Sequence, residues 1–153
     1  MSGARTLPGL RCPVSGPVTA VLCGAGARGH FVYGGYALRH PRRLRFVGVA
    51  EPDAERRRRF QRAHAIPDPL AFERWEDLLA GARRAQAAIV CTPDPVHAAP
   101  ALRALELGYH LLLEKPLSPR PEECRARWRP IRWPQGSWPR WPTCCATPPS
   151  GGR

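Results

Sequence analysis

Short, nearly unbroken apolar runs recur along this chain at Val18–Cys23, Leu44–Ala50, 86–91 and 109–113. Bounded by Gly, Pro and charged residues, runs of this length read as strands buried on both faces. More polar segments of helical length separate them. Asp53 can cap a helix running to about His64, with Glu55 in its favourable first turn. Pro67 and Pro69 then break the chain, Ala71-Phe72 suits a very short strand, and residues 73–80 read as a short helix stopped by Gly81. Asp94 suits the N-cap of a further helix, Pro95 its first position and Gly108 its C-cap. Ala98, Ala101, Leu102 and Leu105 would share one face of it. Strands alternating with helices predict an α/β fold built on a doubly wound parallel sheet.

The first strand runs into Gly24-Ala25-Gly26-Ala27-Arg28-Gly29, and the second ends at Glu51. Strand, glycine loop, helix, strand and acid form the arrangement that holds the pyrophosphate and ribose of a dinucleotide. Gly24 would allow a tight turn off the strand, Gly26 a close approach of backbone to phosphate, and Gly29 close packing of helix on strand. A helix N-terminus offers unpaired N–H groups to the phosphates. Glu51 can accept both ribose hydroxyls and would repel a 2′-phosphate, which favours NAD over NADP. The competing reading is a glycine-rich turn before a surface helix, with Glu51 a solvated strand end.

Composition narrows the setting. The chain has 153 residues and a formal net charge of +12. Arg56-Arg57-Arg58-Arg59 falls in a predicted helix and reads as a solvated face; the tail supplies much of the remaining excess. No apolar run reaches the roughly 20 residues of a membrane span, and residues 1–17 hold no apolar signal core, so they read as a disordered leader and the location as cytoplasmic. None of the six Cys forms a Cys-x-x-Cys pair, so no metal site is indicated. Cys23 and Cys91 end predicted strands and suit small apolar packing.

Right-handed crossovers put the predicted strand ends on one rim, where Gly24, Glu51, Thr92 and Glu114 all fall. The rim also carries Cys91-Thr92-Pro93-Asp94-Pro95-Val96-His97 and Glu114-Lys115-Pro116. With the glycine loop and Ala50-Glu51-Pro52-Asp53, this ordered set resembles the glucose–fructose oxidoreductase/inositol dehydrogenase (Gfo/Idh/MocA) family, from about Val18 to Glu123. The resemblance implies a Rossmann-type sheet ordered 3-2-1-4-5, here incomplete because the usual sixth strand is missing. It also implies a sugar or polyol substrate oxidised or reduced with NAD. Gly24, Gly26 and Gly29 would form the dinucleotide turn, with Arg28 beside the phosphates and Glu51 on the adenosine ribose. Thr92 and Pro93 would line the nicotinamide side, His97 would lie near the cofactor, and Glu114 and Lys115 would face nicotinamide and substrate. Lys115 would be the catalytic residue. The residues add one argument of their own: Lys115 is the single lysine among 24 Lys and Arg. A compact ammonium that can lose its proton suits a reacting hydroxyl where Arg does not; an ordinary surface lysine is the other reading. His97 could equally pack or cap a helix, and Thr92 could simply end its strand.

These features divide the chain into a leader (1–17), a dinucleotide-binding domain (18–125) and an irregular tail (126–153) rich in Arg, Trp and Pro. The tail lacks the period of a helix or strand, and its prolines remove backbone donors. It reads as a frameshifted or alternatively spliced continuation, as a basic segment stacking on single-stranded nucleic acid, or as a protein-docking segment. The second, substrate-binding domain of the resembled family finds no counterpart here. The expectation is an NAD-binding unit, with a nonenzymatic dinucleotide-binding or interaction module as the alternative. Dinucleotide binding is expected to outlast turnover.

Overall fold

The computed structural model describes residues 16–116. Most of the leader and the whole tail, with Cys12, Cys124, Cys144 and Cys145, lie outside the described residues.

Five parallel strands form one sheet in the order β3-β2-β1-β4-β5, as anticipated. They are β1 (Val18–Cys23), β2 (Leu44–Ala50), β3 (Ala71–Phe72), β4 (Ala87–Val90) and β5 (His110–Leu113). The period-2 alternation of strands sorts the core into two layers. Ala20 and Leu22 face Ala37, Phe46, Phe60 and Ile66 on one side. Val21 and Cys23 face Leu78, Leu79, Ala101 and Ala104 on the other. The β1–β2 register slips once, between Ala20 and Val21, so that Val21 pairs with Gly48.

The helices are α1 (Gly35–Arg39), α2 (Ala54–Ala63), α3 (Trp75–Leu78) and α4 (Ala98–Glu106). Asp53 caps α2 as expected, accepting from the Glu55 and Arg56 amides at 2.9 Å each. Four features depart from the sequence reading. The segment after the glycine loop begins with a π-helical turn, Arg28–Gly34, before α1. The helix expected over 73–80 is a single turn. Asp94 is not an N-cap: Val96 N donates to Pro93 O and His97 N to Asp94 O, a tight i→i+3 pattern that uses the donors its carboxylate would need. Helix α4 starts only at Ala98, and its closest face is Ala98, Ala101 and Ala104, while Leu102 and Leu105 sit half-buried at the edge. The small alanines let the helix approach the sheet. Gly108 ends it with φ +77°, and the bonds Gly108 N to Leu105 O and Tyr109 N to Ala104 O close a Schellman motif.

Among the described residues, no helix covers one face of the sheet over β4 and β5. There Ala87, Ile89 and Leu112 border an open apolar groove of about 710 Å³ with Phe31, Val32, Tyr33, Tyr36 and Leu44. No helix among the described residues is long and apolar enough to cross a membrane.

Candidate dinucleotide site on the sheet rim

The glycine loop is shaped by what its neighbours exclude. Gly24 has φ +92°, and a Cβ there would lie 2.7 Å from the Cys91 carbonyl oxygen, so the loop passes hard against the end of β4. At Gly29 a Cβ would collide with the Gly24 carbonyl oxygen and crowd Leu22 Cδ2. Around Gly26 nothing lies within 4 Å of that position: it borders open space. Two of the glycines are therefore required by the packing of the protein itself, and the third faces open space. The π-helical turn that follows has no side-chain cap and no acid among its own first residues, so its first N–H groups carry no local carboxylate.

Glu51 is 6% exposed and reaches under this loop. Its Oε2 accepts from the Ala25 amide at 2.7 Å, and its Oε1 from the Asp53 amide at 3.2 Å. The acid and the glycine loop, 26 residues apart, are thus one unit. Arg57 adds a tie that the sequence reading missed: its guanidinium donates to the carbonyls of Glu51 and Pro52. Arg56, Arg58 and Arg59 are exposed on α2, as the solvated-face reading expected.

On the other side of the loop stands the end of β5. Glu114 N donates to Val90 O at 3.0 Å, extending the ladder. The Glu114 side chain is only 12% exposed, and Arg28 Nε lies 3.5 Å from its Oε1. Tyr33, also absent from the sequence reading, donates its hydroxyl to the same oxygen at 2.6 Å. Burial and that bond push the Tyr33 hydroxyl well above its usual range, so it stays a protonated donor. Lys115 is exposed on the rim next to Glu114.

The end of β4 contributes Thr92, Pro93 and His97. His97 is 2% exposed. Its Nδ1 lies 3.0 Å from the Thr92 hydroxyl, and its Nε2 lies 3.6 Å from Asp94 Oδ1. Burial lowers its pKa, although Asp94 and Glu114 pull it upward. The buried ring, bonded to the Thr92 hydroxyl, sits as a strut beneath the rim. Pro93 is exposed and Thr92 half-buried above it. The thiols of Cys23 and Cys91 are pushed up to about 12, chiefly by burial, and are chemically quiet.

All the sequence-selected residues therefore lie at or under one rim. The apolar groove beside Tyr33 leads away from it. That groove runs down to Val18 and Ala87, at the opposite ends of the strands, whereas open α/β sheets bind ligands at the carboxyl ends.

Comparison with known proteins agrees with this geometry. The model of an oxidoreductase family with an NAD-binding Rossmann fold, GFO_IDH_MocA, matches residues 18–132. No curated protein matches the sequence. Among solved structures, the WlbA dehydrogenase from Chromobacterium violaceum, in complex with NADH and UDP-GlcNAcA, superposes with a TM-score of 0.65 at 21% identity, over 74% of this chain and 31% of its own. A myo-inositol dehydrogenase from Corynebacterium glutamicum gives 0.62 at 26% identity, over 75% and 33%. UDP-N-acetylglucosamine 3-dehydrogenase GnnA from Acidithiobacillus ferrooxidans gives 0.58 at 27%, over 74% and 34%. The chain spans about a third of the length of these relatives.

Proposed function

This chain belongs to the Gfo/Idh/MocA oxidoreductase family, as its NAD-binding Rossmann domain, and on that premise we propose that its rim holds NAD for a reaction at a sugar or polyol CH–OH group. The observation that carries the proposal is the junction of Glu51 with the glycine loop through the Ala25 amide. It puts a buried carboxylate beside an uncapped helical turn, which is what a ribose next to a pyrophosphate requires. The open space at Gly26 leaves room for the phosphates.

In this reading Gly24, Gly26 and Gly29 form the turn, Arg28 meets the phosphates, and Glu51 takes the adenosine ribose. Thr92 and Pro93 line the nicotinamide side, braced from below by His97. Glu114 faces the nicotinamide end, and Lys115 hydrogen-bonds the reacting oxygen and assists its proton. The bound dinucleotide supplies the redox chemistry; the chain orients it and handles the proton. The sugar-like substrate follows from the dehydrogenases to which the chain is similar. The same reading keeps the protein in the cytoplasm, where Cys23 and Cys91 stay reduced.

Calorimetry with NADH tests the proposal. Glu51→Gln keeps an acceptor for the Ala25 amide but loses the charge. It is expected to weaken NADH by about tenfold or more, roughly 1.4 kcal/mol, while Lys115→Ala weakens it by no more than about threefold. Equal losses would contradict the assigned roles. Absence of NADH binding by the folded wild-type chain would remove the proposal.

A further inference from the structure

We infer that Tyr33 is a positioning residue: its hydroxyl holds the Glu114 carboxylate, and with it the Glu114–Lys115 strand end, at the nicotinamide end of the site. The inference rests on the dinucleotide reading above and extends it to a residue outside every motif that carried it.

Two donors converge on Glu114 Oε1, Tyr33 at 2.6 Å and Arg28 at 3.5 Å. They are not equivalent. The Arg28 side chain is 58% exposed, and an ion pair of that length with one solvated partner contributes little. A short hydroxyl-to-carboxylate bond in a half-buried setting is the stronger contact. Arg28 also opens the helical turn at the glycine loop, where a pyrophosphate would compete with Glu114 for its guanidinium. Tyr33 is then the contact that keeps Glu114 in place while Arg28 turns to the phosphates.

The local fold makes this possible. Arg28 and Tyr33 are five residues apart, and the turn between them is π-helical. Its i→i+5 pattern brings both side chains to one face, whereas an α-helix would set them roughly 140° apart. Opposite them, the Glu114 backbone is already pinned to Val90. The carboxylate is therefore the adjustable part, and Tyr33 fixes it.

Titration of the full chain with NADH and, separately, with ADP-ribose distinguishes this role from a merely structural one, because ADP-ribose lacks the nicotinamide. Tyr33→Phe is expected to weaken NADH about 5- to 10-fold and to leave ADP-ribose within about twofold. Tyr36→Phe, on the following turn and without a bond to Glu114, is expected to change neither. Tyr33→Phe added to Glu114→Ala is expected to cost nothing beyond Glu114→Ala alone, since each removes the same contact. Equal weakening of both ligands by Tyr33→Phe, or unchanged NADH binding, overturns the inference. Wild type that binds neither ligand overturns the dinucleotide reading itself, and the positioning role falls with it.

Discussion

A Cβ at Gly29 would meet the Gly24 carbonyl, which is backbone and cannot swing away, while one at Gly26 would meet nothing. The two substitutions should therefore separate stability from binding. Gly29→Ala is expected to cost on the order of 1–3 kcal/mol in urea denaturation. Gly26→Ala should leave the urea midpoint unchanged yet weaken NADH in the same titration that tests Glu51; a midpoint lowered as far as that of Gly29→Ala would contradict it. The packing role of Gly29 was legible in the sequence because the spacing of glycines carries it. Ala65 was not, since it is neither Gly nor Asn. It sits at φ +50° beyond α2, where Ala65 N donates to Arg62 O and Ile66 N to Gln61 O, a second Schellman ending. The buried Ile66 anchors that ending beside Phe60, so the core imposes a left-handed residue that the local sequence does not favour. Ala65→Gly is expected to raise stability by about 0.5–1 kcal/mol; a loss of stability would show that the alanine is unstrained.

Elements were legible where period and punctuation agree, as in α2 with its Asp53 cap. The π-helical turn was not, because a reading with a 3.6-residue period never places Arg28 above Tyr33. The turn also brings His30 toward α2, where His64 stacks on Phe60 with ring centroids 4.2 Å apart and lies 5.2 Å from Phe46. Among the described residues, His30 Nδ1 and His64 Nε2 are buried without hydrogen-bond partners. Burial, with His30 nearby, lowers His64 from 6.5 to about 4; burial and Arg59 lower His30. An imidazole kept neutral in the folded state is protonated first in the unfolded chain. Its stabilising effect is complete above pH 6.5 and is lost as pH falls toward about 4. With the ring half-screened by solvent, the loss between about pH 7 and about pH 5 is on the order of 1 kcal/mol. Urea midpoints at the two pH values check this, and His64→Phe should shrink the difference. An unchanged difference would place the acid sensitivity elsewhere.

The sheet as a whole explains why a site spread over almost the entire described chain reads as one place. Four crossovers between parallel strands bring the ends of β1, β2, β4 and β5 to one edge. Gly24, Glu51, Thr92 and Glu114 become neighbours although they span 91 positions of sequence. This much was legible, because topology follows from the order of strands and helices. The side-chain contacts across the rim were not, since Tyr33 to Glu114 and Arg57 to Glu51 depend on how helices rotate against the sheet. If the rim is the site, its ligand should protect the two edges of the sheet unequally. Hydrogen exchange with saturating NADH is expected to slow amides at 24–29, 51–53, 91–92 and 114–115. It should leave 40–44 and 82–87, at the amino ends of the strands, as they were. Binding at about 100 times Kd stabilises the folded state by about 2.7 kcal/mol, so globally exchanging amides slow everywhere, and the decisive amides are those that open locally. Protection of locally opening amides along the apolar groove at Val18, Leu44 and Ala87, with none at the glycine loop, would move the dinucleotide to the other end of the sheet and end the assignment of the rim.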